Sequence, residues 1–263
     1  MADKFFMHGM VLSSVPIGEN DRRVVLLTQE RGKVSAFFRG ARRAKSELSA
    51  ASNAFTFGMF EGFEGRNSIT VVGAEISQSF DEITRDLEKV YMGYYFLEVA
   101  DYYAQENLDE TERLNLLYIT IKALNNSEIP DELVRRIYEL RTMGINGEYP
   151  NVFSCAECEE SDHLRFYDRE NCIMICEECM KKISEKNSNK SSNNKNNNNS
   201  NKNGLININD DLLYVIQYVI SAPLNKLYSF KLESNLQNRF IDFVQDYIQK
   251  NVMHIFKTEK FLI

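Results

Sequence analysis

The amino-acid sequence predicts an α+β multidomain protein: a small N-terminal β-barrel of the oligonucleotide-binding (OB) type, then an all-α bundle domain with an inserted four-cysteine module. Three observations carry this. Five short apolar runs crowd the first 80 residues, with no amphipathic helix between most of them. From Asp86 onward the apolar period changes to three and four residues. All five cysteines fall between Cys155 and Cys179, four of them in two Cys-x-x-Cys pairs. The expected divisions are residues 1–80 for the barrel, 81–150 together with 205–263 for the helical bundle, 151–182 for the cysteine module and 183–204 for an insertion.

The barrel strands are expected at 5–13, 22–28, 33–38, 55–63 and 68–76. Turns rich in Gly, Asn and Asp separate most of them, at Gly18-Glu19-Asn20-Asp21, Arg31-Gly32 and Glu64-Gly65-Arg66-Asn67. An OB barrel has this strand count and binds single strands through a basic face that carries aromatic rings. Phe37 and Phe38 are adjacent, so one ring points into the barrel and the other out.

The segment from Arg31 to Lys45 holds six cationic side chains, Arg31, Lys33, Arg39, Arg42, Arg43 and Lys45, and no acidic one. The chain as a whole carries a formal charge of −7, yet residues 1–80 contain ten Lys/Arg against eight Asp/Glu. A basic cluster kept within an acidic chain points to a polyanion bound at that place; the alternative is a solvated basic loop. Gly40 breaks the third strand and releases Ala41 to Lys45 as a loop or frayed turn, where small residues let a phosphate backbone approach. If all six cations engage a single strand, log K should fall with log salt at a slope near −4.

The helical part opens with an apolar stripe of Leu87, Val90, Tyr91, Tyr94, Leu97 and Tyr102, read as core with the tyrosine hydroxyls at its rim. Asp109 and Glu112 have the spacing of a capping pair for a second helix, whose buried face is Leu114, Leu117, Tyr118, Ile121 and Leu124. A third helix follows Pro130-Asp131, buries Leu133, Val134, Ile137, Leu140 and Met143, and is expected to stop at Gly144.

Cys155-x-x-Cys158 and Cys176-x-x-Cys179 are separated by seventeen residues. Two such pairs can close a tetrahedron of thiolates at about 2.3 Å around one zinc ion, a structural site because four thiolates leave no open position for a water. Cys172 lacks a partner at knuckle spacing, although a swap with Cys176 is a second possible ligand set. His163, between the pairs, reads as a loop residue. Clustered cysteines behind a start without a secretory pattern fit a reducing compartment, so a cytoplasmic protein is expected. No run is apolar enough to suggest a membrane span.

Residues 184–203 are mostly Asn, Ser and Lys, with too little apolar surface to offset ordering, and are expected to be disordered. Helical pattern then resumes in two segments. Leu212, Leu213, Val215, Ile216, Val219 and Ile220 mark the first, and Leu236, Phe240, Phe243, Val244, Tyr247, Ile248 and Val252 the second.

No catalytic constellation is visible. There is no phosphate-cradling glycine loop and no ordered Ser/His/Asp set, and His8, His163 and His254 are the only histidines. A non-enzymatic binding protein is the reading that remains.

Taken in order, Gly18-Glu19-Asn20-Asp21-Arg22, Arg31-Gly32-Lys33-Val34-Ser35-Ala36, Arg39-Gly40-Ala41-Arg42-Arg43 with Lys45-Ser46, Phe55-Thr56, and Ala74-Glu75 ahead of Phe80 resemble the N-terminal domain of the bacterial recombination mediator family RecO. Arg136-Ile137-Tyr138-Glu139-Leu140-Arg141, with Gly144 and Pro150, and the ending from His254 to Leu262, resemble the same family further on. The resemblance implies a protein of DNA repair and recombination that binds single- and double-stranded DNA and anneals complementary strands. It also implies help in loading the RecA recombinase, work with RecR, and contact with the C-terminal tail of the single-strand-binding protein through the helical domain. A nucleoid-associated place in the cytoplasm follows from the same likeness, as does a zinc site that supports the fold without being indispensable to DNA binding. The alternative, from a different class, is a scaffold whose barrel and zinc module bind RNA or protein in transcription or translation.

Overall fold

The computed structural model describes residues 4–65, 68–126, 128–190 and 204–262. The chain divides into two compact units, Met1–Tyr138 with His254–Ile263, and Glu139–Met253.

In the first unit, period-two alternation yields five strands, β1 (Lys4–Ile17), β2 (Asp21–Thr28), β3 (Gly32–Phe38), β4 (Thr56–Glu64) and β5 (Ile69–Ser79). They close into a barrel in the order β1-β2-β3-β5-β4, which is the OB-type architecture. All pairs are antiparallel except the closing one, where β3 runs parallel to β5 and Phe38 lies beside Val71. Alternation is cleanest in β3: Gly32, Val34, Ala36 and Phe38 are buried, while Lys33, Ser35 and Phe37 face outward and stay partly exposed. Phe38 therefore belongs to the core, its ring edge-on to Phe60 at 5.8 Å. With Met7, Val11, Val24, Leu26 and Val71 these rings fill the barrel, each large side chain stabilising the fold by about 1.5–3 kcal/mol. A one-turn helix, α1 (Leu48–Ala51), which the sequence pattern is too short to announce, plugs the same core with Leu48 and Ala51.

Two helices pack on this barrel and on each other, α2 (Leu87–Tyr103) and α3 (Thr111–Leu124). Asp86 caps α2 by accepting from the N–H groups of Glu88 and Lys89 at 3.0 and 3.2 Å. The buried face of α2 corrects the expected stripe. Leu87, Tyr94 and Tyr102 are 67%, 43% and 49% exposed, and the helix packs instead through Met92, Tyr95, Phe96, Leu97, Val99 and Ala100. Apolar residues ring this helix on every side, so its periodicity permits more than one stripe and the neighbouring elements select. In α3 the expected Leu114, Leu117, Ile121 and Leu124 are buried, and Leu116 joins them.

Helix α4 (Asp131–Asn146) buries Leu133, Val134, Ile137, Leu140 and Met143, as its period requires. It does not stop at Gly144. It runs to Asn146, and Gly147, at φ 72°, supplies the left-handed residue that ends it. The C-terminal segment of the first unit is clasped by Glu98 of α2, whose carboxylate accepts from the N–H groups of Lys257 and Thr258 and from the Thr258 hydroxyl.

The second unit is built on a four-stranded sheet of β6 (Asn151–Cys155), β7 (Leu164–Asp168), β8 (Ile173–Cys176) and β9 (Leu205–Asn207), ordered β6-β8-β7-β9. Three helices accompany it, α5 (Glu177–Lys190), α6 (Asp210–Ser221) and α7 (Ser234–Asn251). Helices α6 and α7 bury the faces that their periods define. Phe243 of α7 packs its ring 4.9 Å from that of Tyr167 in β7. Beside them Arg169 grips the Asp246 carboxylate with two nitrogens, Nε at 2.9 Å. The expectation of disorder from residue 184 needs correction at its start, because α5 carries the chain as helix to Lys190. Its first turns pack on β7 and β8, and the polar residues that follow extend a helix already nucleated. The rest of the expected insertion, 191–203, lies outside the described residues.

Candidate nucleic-acid interface and metal centre

The exit of β3 is a loop held in a defined shape. Gly40, at φ 72°, turns the chain away from the ladder. Asp21, the first residue of β2, accepts a hydrogen bond from the Gly40 N–H at 2.7 Å. Arg42 donates its backbone N–H to the Asn20 carbonyl at 2.9 Å and its Nη1 to the Gly18 carbonyl at 3.0 Å. The turn between β1 and β2 thus clasps the basic loop. Arg39, Arg42, Arg43 and Lys45 are all exposed. Among the described residues none of the four has a carboxylate partner.

The other two cations of the segment are placed differently. Arg31 ion-pairs with Glu64 at 2.8 Å and lies over the Phe5 ring, 4.1 Å from its centroid. Lys33 donates to the backbone carbonyl of Asp101 at 2.7 Å and stands 3.5 Å from that residue's carboxylate. Backbone bonds reinforce the tie. Lys33 N–H reaches the Gln105 carbonyl and Asn107 N–H reaches the Arg31 carbonyl, both at 2.9 Å. Between them Gly32, at φ 62°, sits so close to the Gln105 carbonyl that an added Cβ would lie 2.3 Å from it.

The register across the barrel wall brings a further cation into line. Arg23 of β2 is exposed and lies opposite Phe37 of β3, its Nε donating to the Ser35 hydroxyl at 2.9 Å. Val15 of β1 continues the row on one side of Arg23, and Thr70 of β5 continues it beyond Phe37. Arg23 stands eight residues before the basic cluster in sequence; only its outward parity on β2, the same as that of Phe37 across the ladder, could have singled it out.

In the second unit the four cysteines Cys155, Cys158, Cys176 and Cys179 converge, and their sulfur atoms all lie within 4.8 Å of one another. The Cys158 and Cys176 sulfurs are 3.8 Å apart. That is the edge expected of a tetrahedron with metal–sulfur bonds of about 2.3 Å, so the donor set fits a tetrahedral metal ion. Backbone N–H groups support sulfur charge: Cys176 N–H points at Cys155 Sγ at 3.3 Å and Cys179 N–H at Cys176 Sγ at 3.4 Å. Burial resists ionisation of the Cys155 thiol, but N–H donors from Cys176, Glu157 and Cys158 outweigh it and draw the thiol down to about 7. The Cys179 thiol is pushed up to about 12, first by its hydrogen bond with Cys158 and then by burial. Four neighbouring thiols cannot all give up their protons unless a cation offsets the repulsion. Cys172 lies outside the set, with its sulfur 3.5 Å from the side-chain nitrogen of Asn251. His163 contributes its carbonyl to the Glu177 N–H and is likewise no member of the cluster.

An OB-type barrel with a cationic loop at a strand exit, followed by helices and a four-thiolate centre, defines a two-part protein of the OB-plus-helical class. Comparison with known sequences makes this specific. The family profile described as Recombination protein O N terminal matches residues 1–80, and that described as Recombination protein O C terminal matches residues 84–260. The chain belongs to the RecO family of DNA repair proteins. Among its relatives, the DNA repair protein RecO of Acetivibrio thermocellus is 23% identical over 246 residues, 93% of this chain and 90% of that protein. The one from Alkaliphilus metalliredigens is 32% identical over 173 residues, 65% of this chain and 70% of the relative. That of Clostridium acetobutylicum is 24% identical over 255 residues, 97% of this chain and 95% of its own length.

Proposed function

We propose that this chain is a DNA-binding recombination mediator that binds single strands, anneals complementary ones and assists the loading of RecA together with RecR. The observation that carries the proposal is the set of four exposed cations, Arg39, Arg42, Arg43 and Lys45, standing at the rim of an OB-type barrel without carboxylate partners among the described residues. The phosphate path runs over these four and Arg23, with Phe37 offered as a surface on which a base can stack. Arg31 and Lys33, each already held by an acidic residue, contribute mainly by fixing the turn between β2 and β3.

Neutralising phosphates on one strand lowers its repulsion of a second, and a backbone held at its phosphates leaves base edges free to pair. Five engaged cations give a salt slope near −3.5, or roughly a hundredfold weaker binding for fourfold more salt. No chemical step is required, which fits a mediator without catalytic activity.

The four cysteines would hold one zinc ion, which supplies a tetrahedral cross-link of β6, β8 and α5 with no open coordination position. On this reading residues 1–80 act as the single-strand-binding domain, the helices within 81–150 and 205–263, which fall in both units, include the one that receives the C-terminal tail of the single-strand-binding protein, and 151–182 act as the zinc module. Double-stranded DNA is bound as the annealed product, and the work takes place at the nucleoid in the cytoplasm. Among the described residues no helix is long and apolar enough to cross a membrane. A strand-annealing assay with the Arg39→Ala, Arg42→Ala, Arg43→Ala variant tests the proposal: the rate should fall, and an unchanged rate would remove its basis.

A further inference from the structure

Beside the cationic loop stands a carboxylate that simple electrostatics would count against DNA binding, that of Asp21. Its Oδ1 accepts the Gly40 N–H at 2.7 Å, the shortest of the three bonds that tie the basic loop to the β1–β2 turn. Gly40 is the hinge of that loop. Its φ of 72° sets the direction in which Arg39 leaves β3 and Ala41 to Lys45 follow. The Arg43 side chain folds back over the same glycine, 3.4 Å from where a Cβ would stand. Without the Asp21 acceptor the Gly40 N–H has no other partner among the described residues, and of the bonds that tie the loop to the β1–β2 turn only the two made by Arg42 remain, beside the turn bonds that Ala41, Arg43 and Ser46 make within the loop itself.

We infer that Asp21 is a positioning residue for DNA binding: its carboxylate oxygen fixes the Gly40 hinge and so aims Arg39, Arg42, Arg43 and Lys45 at one strand. The inference rests on the proposed path of the DNA over that loop. Its content is a sign reversal. Removing a negative charge from a polyanion site should tighten binding, by about twofold for a charge 8–10 Å from a phosphate in water. Removing this one should weaken it, because a loose loop engages fewer phosphates at once and each lost contact flattens the salt slope by about 0.7.

Two substitutions separate charge from hydrogen bond, since both remove the same negative charge. Asp21→Asn keeps an oxygen acceptor at the same place, whereas Asp21→Ala removes it. Binding of a fluorescein-labelled oligo-dT is followed by anisotropy between 50 and 200 mM salt, with thermal melting as a check on folding. Asp21→Asn should bind as tightly as the parent or up to about twofold tighter. Asp21→Ala should bind about three- to tenfold more weakly and flatten the slope by about one to two phosphates' worth. If Asp21→Ala does not fold, Asp21→Ser, whose oxygen is one bond too short to reach Gly40, replaces it with the same expectation. Equal affinity and slope for the Asn and Ala (or Ser) variants would overturn the inference. The Arg39→Ala, Arg42→Ala, Arg43→Ala protein runs alongside. If it also binds like the parent, the proposed DNA path fails; if it loses affinity while Asp21→Ala does not, only the role of Asp21 fails.

Discussion

Lys33 of β3 reaches across to Asp101 near the end of α2, donating its ammonium to the backbone carbonyl at 2.7 Å while the carboxylate stands 3.5 Å away. A lysine that reads in the sequence as part of a DNA-facing cluster is thereby tied into the packing of a helix on the barrel. Lys33→Ala should lower the stability of the first unit by about 1 kcal/mol, the typical worth of a half-exposed charged hydrogen bond. The salt slope of DNA binding should stay within half a unit of the parent. Chemical denaturation and anisotropy titrations read the two effects separately; a slope flattened by a full phosphate contact would return Lys33 to the interface.

Arg23 and Phe37 are cross-strand neighbours and should act differently on a bound strand. Phe37→Ala should weaken single-strand binding by about 1–2 kcal/mol at every salt concentration, since stacking is insensitive to counterions. Arg23→Ala should flatten the salt slope by about 0.7. Phe37→Leu, which keeps apolar area but not the flat π-face, distinguishes stacking from simple cover; affinity equal to the parent's would assign Phe37 to packing alone.

The four-thiolate centre makes its own prediction. Protein purified with zinc should contain about one equivalent, and Cys158→Ser should lose it and melt earlier in the second unit, whereas Cys172→Ser should keep it. Cobalt substitution should give the charge-transfer intensity of four sulfur ligands. The salt slope for oligo-dT should survive metal removal, because every proposed DNA contact lies in the first unit. Acid should release the metal as protons compete for sulfur, and a slope that collapses together with the metal would couple the two functions.

Glu98 links the C-terminal segment to α2 and sets a pH dependence. Burial alone would raise its carboxyl, but the Thr258 hydroxyl and the N–H groups of Lys257 and Thr258 outweigh burial and hold it below the usual carboxylate range. A lowered folded value means that the contribution is fully present above the ordinary glutamate pKa of about 4.3 and is lost as pH falls through the folded value. Glu98→Gln should therefore destabilise the protein at pH 7, by about 1 kcal/mol after allowance for solvent screening. The difference between variant and parent should shrink as pH falls below the ordinary glutamate range and through the lowered folded value. A constant difference across that range would mean that the carboxylate charge contributes nothing.

The barrel was legible because its turns carry Gly, Asn and Asp and strands such as β3 alternate, so parity sends one of Phe37 and Phe38 inward and the other outward; which of the two is inward comes from the packing, where Phe38 joins the core. The thiolate cluster was legible from its spacing, since a Cys-x-x-Cys turn leaves its sulfurs few directions. The face of α2 was not, because Leu87 and Tyr94 fit a helical stripe as well as Tyr95 and Phe96 do, and only the elements packed beside the helix decide. The helical start of the Asn-rich segment was hidden by composition, which reports low burial and is silent about a helix propagated from the turns before it. The ties that withdraw Arg31 and Lys33 span 33 and 68 residues, to Glu64 and Asp101, and no local pattern encodes pairs so far apart. Arg23 and Asp21 were missed for the same reason: their roles come from a strand register and a turn closing over a loop.

The salt dependence of oligo-dT binding by the Arg39→Ala, Arg42→Ala, Arg43→Ala protein tests the central claim most directly. With three phosphate contacts gone, the slope of log K against log salt should move from near −3.5 to about −1.4, with the melting temperature little changed. A folded variant that keeps the parent's slope would contradict the account, placing the DNA on some other surface.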